Sequence, residues 1–263
     1  MFQLRHLVHP IRSAKALGLR LCSERIPGPG NFAQQPLESL PNVPDLFFQY
    51  RALLTHPELT RRPGGWIYQN AFYPDYLTVG GAAHAIFPVA LKHCRGNGID
   101  VGAGLWPLPG STPVDLWRGV GTNRCVTDFE KGSLDYVFSS HCLEHVEAWQ
   151  ESLKEWIDRV RHGGMIFLYL PHPDCAIWHP GSPFVGDGHK WIPTPPVIRQ
   201  AVEEMGCHIT HLNSEPDAMH SFFICAQKGT EESICTNSLK THEACKAALS
   251  DRDRNITESP EQQ

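Results

Sequence analysis

Residues 133–173 alternate between short apolar runs and one amphipathic stretch, in an order that predicts a strand, a helix and a second strand. The first apolar run, residues 134–138, ends in the polar residues Ser139, Ser140 and His141. This predicts a buried strand that finishes in a polar loop. Apolar residues then recur every three or four positions between charged ones, which predicts a helix with one buried face. Its apolar positions are Leu143, Val146, Trp149, Leu153, Trp156, Ile157 and Val160.

Two glycines, Gly163 and Gly164, follow this helix and predict its end, because glycine adopts the left-handed conformation that closes helices. Residues 165–170 predict a second strand that is buried on both faces. Strand, helix and strand in this order form one unit of an open α/β sheet. Since ligands bind such sheets at the carboxyl ends of the strands, the polar loop after residue 138 is predicted to border a ligand site.

A glycine-rich turn lies about thirty residues upstream, where a short apolar run ends in Asp100, Gly102 and Gly104. Glycine has no Cβ, so its backbone can approach a ligand closely and can adopt positive φ. The turn therefore resembles a nucleotide-binding connection between a strand and a loop. A turn of this kind is a weak signal alone, and the pattern at residues 133–173 strengthens it.

Together these motifs resemble the class I S-adenosyl-L-methionine-dependent methyltransferases, in the subfamily similar to methyltransferase type 11. The resemblance covers about residues 96–228. Its motifs are DxGxG at residues 100–104, LDxVxSSHxLEH at 134–145, RxxxGG at 159–164 and a strand that ends in Pro171. The resemblance implies a Rossmann-like α/β fold with a mostly parallel sheet and an antiparallel last strand. It also implies S-adenosylmethionine as cofactor and methyl transfer to a small-molecule or glycan/lipid-precursor acceptor.

The resemblance also implies which residues bind the cofactor, by their positions in the motifs. The glycine turn would wrap the methionine end of the cofactor. Asp115 falls where an acid accepts hydrogen bonds from the ribose hydroxyls, and Asp128 falls where an acid meets the adenine amino group. These donors suit carboxylates, which are strong acceptors at neutral pH. The implied cofactor-binding residues are Asp100, Gly102, Gly104, Asp115, Asp128, Ser139 and Ser140.

The cofactor half of the fold is predicted to be trimmed. Pro107 and Pro109 exclude an ordinary helix after the glycine turn, and residues 116–125 are too few for a full helix. A trimmed site leaves open a second function, that of a non-catalytic methyltransferase-like domain that serves as a binding or scaffold module. Further along, residues 197–205 predict a helix, and residues 208–212 and 221–227 predict a closing pair of strands.

Catalysis of methyl transfer requires mainly alignment of the acceptor with the activated methyl group. An acceptor that loses a proton also needs a base, and histidine titrates in the useful range. His141 is the first candidate for this base and His189 the second. His189 lies in the long connection 171–196, which is predicted to shape the acceptor pocket. A structural hydrogen bond is the alternative role for His141.

A competing interpretation uses some of the same residues. His141, Glu144 and His145 match H-x-x-E-H, a zinc-peptidase motif in which two histidines bind the metal beside a glutamate base. Glu203 or Glu204 would supply the third ligand. The motif requires a helix, whereas the preceding serines predict the end of a strand. We therefore predict no metal ligands among the site residues.

Composition limits the partners of this chain. The net charge is −5 with no basic stripe, which argues against nucleic acid, and the longest apolar runs have the length of strands, which argues against a membrane span. The nine cysteines lack Cys-x-x-Cys spacing, which favours a reducing compartment. We predict a small-molecule acceptor as the main partner. No pattern in the chain predicts an oligomeric state.

The ends of the chain differ from its middle. We predict an N-terminal arm over residues 1–63 with a possible lid helix, a methyltransferase domain over 64–228, and a disordered polar tail over 229–263. Cytoplasmic localisation is expected, with mitochondrial import as the alternative because the first residues are basic and lack acids. Aromatic residues before the first strand are expected to pack over the sheet edge, with a substrate-facing wall as the alternative. They are Trp66, Tyr68, Phe72, Tyr73 and Tyr76.

Overall fold

The structure, a computed structural model, describes residues 52–78, 82–104, 106–115 and 124–230. Most of the predicted N-terminal arm and nearly all of the polar tail lie outside these residues. The described chain contains a three-stranded sheet and a six-stranded sheet. The strands are β1 (Thr60–Arg62), β2 (Gly65–Tyr68), β3 (Ala71–Pro74), β4 (Gly98–Val101), β5 (Thr112–Val114), β6 (Leu134–Ser140), β7 (Val160–Pro171), β8 (Cys207–Asn213) and β9 (Ser221–Lys228).

The six-stranded sheet has the order β5-β4-β6-β7-β9-β8. Strands β5, β4, β6 and β7 pair in parallel, whereas β9 is antiparallel to both of its neighbours. The predicted fold class is therefore confirmed, a Rossmann-like sheet that is mostly parallel with an antiparallel last strand. From β4 the chain first adds β5 on one side and then adds β6 on the other side. The crevice between β4 and β6 is therefore the topological switch point, where open α/β sheets bind ligands.

Four α-helices lie entirely within the described residues, α1 (Asp75–Thr78), α2 (Ala82–His93), α3 (Trp149–Arg159) and α4 (Pro195–Glu204). Thr194 caps α4, since its side chain accepts a hydrogen bond from the N–H of Val197, and Pro195 occupies the first turn, where a missing N–H costs nothing. Helix α2 was not predicted from the sequence, and it contains Pro88. None of the described helices has the length and apolar character needed to cross a membrane.

The predicted helix over residues 143–160 is shorter than expected at both ends. Leu143–His145 forms a separate 3-10 turn, and α3 begins only at Trp149. The helix ends at Arg159 because Val160 is already extended and pairs with Leu134 of β6. Lys228 donates hydrogen bonds from Nζ to the carbonyls of Ile157 and Val160, at 2.9 and 2.8 Å, which satisfies groups at this helix end.

The glycines predicted to end α3 lie within strand β7 instead. Gly163 has the left-handed φ of 75° that was expected. A Cβ on Gly164 would lie 2.7 Å from the carbonyl oxygen of Asp135, so this position requires close approach of two strands. The two glycines therefore shape the start of β7, and pairing with β6 ends the helix.

The six-stranded sheet is buried on both faces. Alternate residues of β6 show this, because Val137 packs in the cluster that contains the α3 and α4 side chains, whereas Phe138 packs with α2. Strand β7 alternates in the same way, with Leu168 in the first cluster and Phe167 in the second. The result is three layers, with helices on each side of the sheet.

The three-stranded sheet packs against the long loop after β7. Trp66, Tyr68 and Tyr73 are buried in one cluster with loop residues that include Trp178 and Phe184. Tyr76 is partly buried and packs against the same cluster, whereas Phe72 is exposed. The packing role predicted for these aromatics is thus seen for four of the five residues, although they cover a loop rather than a sheet edge. This cluster anchors the loop that carries His189.

An ion pair between Arg61 and Asp75 joins β1 of this small sheet to the start of α1. Both guanidinium Nη atoms of Arg61 donate to the Asp75 carboxylate at 2.8 Å, and the guanidinium lies 5.0 Å from the centre of the Trp66 ring. Two parallel hydrogen bonds make this pair stronger than a single contact. Strand β1 pairs with β2 across the predicted domain boundary at residue 63.

Between β4 and β5 the described residues contain no helix, as the prolines predicted. The N–H of Ser111 donates to the carbonyl of Leu108 and closes a short turn before β5. After β5, the described part of the connection from residue 124 onward holds only the 3-10 turn Val126–Asp128. The first half of the sheet is therefore trimmed in the residues that the structure describes.

Candidate functional site

The glycine turn after β4 passes directly beneath the loop after β6. Gly102 has a φ of 75°, and its N–H donates to the carbonyl of Val114 at 2.9 Å. A Cβ at Gly102 would lie 2.4 Å from Sγ of Cys142. Both the backbone conformation and the close approach thus require glycine at this position.

Two buried carboxylates hold this turn in place. Asp100 accepts a hydrogen bond at Oδ2 from the N–H of Leu108 at 2.7 Å, and Asp115 accepts at Oδ2 from the N–H of Gly104 at 2.9 Å. Asp100 is 2% exposed and Asp115 is 5% exposed. The structure therefore brings Asp100, Gly102, Gly104 and Asp115 together at the carboxyl ends of β4 and β5. Both acids have a structural role beside any role in ligand binding.

The end of β6 lies beside the glycine turn. Ser139 pairs with Val101, and its Oγ donates to the carbonyl of Val101 at 2.9 Å. Ser140 follows with a side chain that is also buried, and its Oγ makes no hydrogen bond to any residue that the structure describes. Since a buried hydroxyl without a partner is costly, Ser140 offers a donor and acceptor to a ligand at this edge.

Asp128 is exposed on the surface. It ends the 3-10 turn Val126–Asp128, and its Oδ2 accepts a hydrogen bond from the N–H of Cys125 at 2.8 Å. The turn contacts α3. Its contact with an adenine amino group stays a prediction.

His141, the first candidate base, sits in the sharp turn after β6. Its φ is 48°, and its N–H donates to the carbonyl of Tyr169 at 2.8 Å. Its ring Nε2 lies 2.9 Å from Oγ of Ser221, which itself donates to the carbonyl of Met219 at 3.1 Å. When the serine proton is directed to that carbonyl, Nε2 of His141 is the donor. The other ring nitrogen, Nδ1, lies 3.5 Å from Oε1 of Glu144.

His189, the second candidate, is buried in the long loop. Its Nδ1 lies 2.6 Å from the carbonyl oxygen of Trp178, and burial lowers the pKa of its imidazole to about 4. It is therefore neutral at physiological pH. Its Nε2 lies 3.9 Å from Oε1 of Glu144. The structure thus brings both predicted bases to one carboxylate.

Glu144 is the central residue that sequence reasoning assigned only to the peptidase alternative. Its side chain is fully buried, and its Oε1 lies 4.0 Å from Nε2 of His145 as well as near the two other histidines. Its backbone carbonyl accepts a hydrogen bond from the N–H of Lys190 at 2.8 Å, and Leu143 accepts one from Nε1 of Trp191. The loop after β6 and the loop after β7 are therefore joined around this carboxylate.

The zinc-peptidase interpretation is wrong in its geometry. The H-x-x-E-H segment lies in a turn with positive φ at His141 and a single 3-10 turn, whereas that motif requires both histidines on one α-helix. Glu203 and Glu204, the nominated third ligands, are exposed on α4. Glu203 pairs with Arg199 at 3.1 Å and Glu204 accepts from Gln200 at 2.7 Å.

Residues 111–168 match a family model described as a methyltransferase domain. The matched segment runs from the start of β5 into β7 and contains four of the predicted cofactor-binding residues. This match and the sheet topology confirm the predicted resemblance to the class I S-adenosylmethionine-dependent methyltransferases. S-adenosylmethionine is the cofactor of that class. A comparison with curated protein sequences gave no match.

Solved structures of similar shape include several methyltransferases. One is a SAM-dependent methyltransferase from Archaeoglobus fulgidus, with 13% identity, a TM-score of 0.44, and coverage of 56% of this chain and 95% of that one. Another is the 1,6-didemethyltoxoflavin-N1-methyltransferase of Burkholderia thailandensis with bound S-adenosylhomocysteine, with 17% identity, a TM-score of 0.41, and coverage of 56% and 77%. A third is a complex of the Haloferax volcanii Trm112 methyltransferase activator with a methyltransferase, with 12% identity, a TM-score of 0.43, and coverage of 59% and 90%. At such identities their substrates and partners say nothing about those of this chain.

Proposed function

We propose that this protein binds S-adenosylmethionine at the carboxyl ends of β4, β5 and β6 and transfers its methyl group to a small-molecule or glycan/lipid-precursor acceptor. One observation carries the proposal. The buried hydroxyl of Ser140 makes no hydrogen bond to the described residues, and it lies on the strand next to the glycine turn. A ligand at this edge would supply the missing partner.

The residues around this edge fit the polar groups of the cofactor. Asp115 accepts a hydrogen bond from the N–H of Gly104, and because a carboxylate can accept several, it suits ribose hydroxyls as well. The glycines of the turn allow the backbone to approach the ligand. When bound, S-adenosylmethionine supplies an activated methyl group on a sulfonium.

The chain's own contribution to the chemistry is orientation and proton transfer. His141 is the candidate base, and its geometry assigns the proton-accepting atom. Since Nε2 donates to Ser221, an incoming proton would be taken up at Nδ1, where the carboxylate of Glu144 at 3.5 Å would stabilise the imidazolium. The side chain of His141 is 15% exposed, so it can be reached from the acceptor side. His189 is almost fully buried and is the weaker candidate.

A second function, a non-catalytic binding or scaffold domain, is favoured by a different observation. Gly104 and Asp115, two of the predicted ligand-binding residues, bond to each other, and Asp115 is only 5% exposed. A ligand would therefore have to bind a carboxylate that already accepts a hydrogen bond from Gly104. A domain that had lost its cofactor could keep such a closed turn.

Calorimetric titration with S-adenosylhomocysteine separates the two functions. Wild type, Ser140→Ala and Ser133→Ala are compared, the last being the same substitution at the opposite end of β6. Methyl transfer predicts micromolar binding that weakens about fivefold to tenfold in Ser140→Ala, the equivalent of one buried hydrogen bond, and is unchanged in Ser133→Ala. Absence of binding to folded wild type would favour the scaffold function.

A further inference from the structure

Three histidine rings surround the buried carboxylate of Glu144. Oε1 of Glu144 lies 3.5 Å from Nδ1 of His141, 4.0 Å from Nε2 of His145 and 3.9 Å from Nε2 of His189. The ligand-type atoms of Glu144, His145 and His189 all lie within 4.8 Å of one another. These residues come from two separate loops, so the cluster exists only in the folded chain.

In His145 and His189, the ring nitrogen farther from Glu144, called the outer nitrogen, is held by a hydrogen bond and so fixes which nitrogen faces the carboxylate. Nδ1 of His145 lies 2.8 Å from the carbonyl oxygen of Gly188, and Nδ1 of His189 lies 2.6 Å from that of Trp178. A carbonyl oxygen only accepts, so both Nδ1 atoms carry protons. In the neutral imidazoles the lone pair is then on Nε2, directed towards a carboxylate oxygen. The carboxylate and the two imidazole lone pairs thus form a set of acceptor atoms close enough together for one cation to bind.

We propose that Glu144, His145 and His189 bind a divalent metal ion of the zinc type. A carboxylate and two neutral imidazoles form a common donor set for Zn²⁺. With metal–ligand distances of about 2.1 Å, tetrahedral ligands lie about 3.4 Å apart. The present separations of 3.9 and 4.0 Å therefore need to close by about half an ångström. This proposal revises the sequence-based prediction of no metal ligands.

The surroundings have the character of a metal site. Each ligating histidine donates its other N–H to a backbone carbonyl, which fixes the tautomer and the ring orientation as in known metal centres. His141 borders the same carboxylate oxygen with Nδ1, and its outer nitrogen Nε2 lies within hydrogen-bond distance of the Ser221 hydroxyl. The metal would join the loop after β6 to the loop after β7, and with three protein ligands its fourth tetrahedral position would be left to a water molecule.

A second cluster in the described residues offers a matched control. His93, His211 and Cys225 also bring three ligand-type atoms within 4.8 Å of one another. Burial raises the pKa of the Cys225 thiol to about 11, so a metal bound there would have to displace the thiol proton. His211 is exposed, so its replacement should leave the fold unchanged.

The test measures metal binding by the full chain and needs no methyl-transfer activity. Protein freed of metal by a chelator is titrated with Zn²⁺ and with Co²⁺, whose visible absorption reports the geometry of its ligands. We expect one equivalent bound, a tetrahedral cobalt spectrum and a rise in melting temperature. His145→Gln and His189→Gln should each weaken binding by at least about 100-fold, since even the loss of an outer partner costs 10- to 100-fold. His211→Gln should bind as wild type does.

Two results would overturn the proposal. The first is a folded wild-type chain that binds no more Zn²⁺ or Co²⁺ than His145→Gln does, which would leave protonated histidines as the charge beside Glu144. The second is loss of binding in His211→Gln with retention in His145→Gln. His145 is 22% exposed, so this variant is expected to fold even if His189→Gln does not. Circular dichroism of each variant checks the fold independently.

Discussion

The backbone N–H of Gly104 donates a hydrogen bond to Oδ2 of Asp115 across 2.9 Å, which joins the turn after β4 to the end of β5. The same carboxylate is the candidate acceptor for ribose hydroxyls, so it has two separable roles. An asparagine keeps a side-chain oxygen for Gly104 but loses the charge, whereas an alanine loses both.

Replacement of Asp115 therefore distinguishes the two roles. Asp115→Asn should change the free energy of unfolding by less than about 1 kcal/mol but weaken S-adenosylhomocysteine binding about tenfold, because charge-assisted hydrogen bonds are about twice as strong as neutral ones. Asp115→Ala should also lose about 1–3 kcal/mol of stability, since the N–H of Gly104 is left without its acceptor. Urea unfolding and calorimetry measure the two effects. Equal affinity in wild type and Asp115→Asn would exclude a direct role in ligand binding.

The contact between Gly102 and Cys142 predicts a coupled pair of substitutions. Gly102→Ala should cost at least about 2 kcal/mol, because alanine is strained at positive φ and its Cβ would collide with the Cys142 side chain. The double variant Gly102→Ala, Cys142→Gly removes the collision but keeps the strain. A double-mutant cycle by urea unfolding should give a coupling energy of about 1 kcal/mol or more. Additive effects would show that the two residues do not press on each other.

Ser139 and Ser140 are neighbours that should respond in opposite ways to alanine. Ser139→Ala loses a buried hydrogen bond to Val101 and should destabilise the protein by about 1 kcal/mol. Ser140→Ala removes a buried hydroxyl that has no partner in the described residues, so stability should stay the same or rise by up to about 1 kcal/mol. Thermal and urea unfolding of ligand-free protein measure both. A large loss in Ser140→Ala would mean that its hydroxyl has a structural partner.

The raised pKa of the buried Tyr136 hydroxyl leads to a prediction of how the free energy of unfolding changes at alkaline pH. Burial raises the pKa of Tyr136 to about 12 from its usual value of about 10. The unfolded chain therefore ionises first, and the stabilisation present below pH 10 is lost as pH rises from about 10 towards 12. The free energy of unfolding should fall with pH over this range, and Tyr136→Phe should reduce that slope. An identical slope in the variant would place the ionisation elsewhere.

The sequence predicted the central sheet well, because its strands are apolar and end in polar residues. Strand β6 follows the predicted run, and β9 is the antiparallel strand that the family resemblance implied. Helix α2 went unpredicted, and its interior proline is a residue that normally argues against a helix. Its apolar face is nevertheless held against the sheet by side chains such as Phe87, and such packing can outweigh local propensity.

The site was predictable only in part, for a related reason. The motifs gave the glycine turn and Asp115, because these lie next to strand ends in the sequence. They could not show that the Asp100 carboxylate accepts a hydrogen bond from the backbone N–H of Leu108, since that contact depends on how the loop folds back. The motifs also could not predict that His189 lies beside Glu144, because the two loops meet only through tertiary packing. The H-x-x-E-H spacing was the one signal for that cluster.

The measurement that tests the central claim most directly is an NMR titration of nitrogen-15-labelled protein with S-adenosylhomocysteine. A cofactor at the carboxyl ends of β4, β5 and β6 should shift the amide signals of Gly102, Gly104 and Ser140 in a saturable manner. The amide of Gly132, in an exposed turn before the other end of β6, should stay unchanged. Shifts at Gly132 without shifts at the glycine turn, or none at saturating ligand, would contradict the proposed cofactor site.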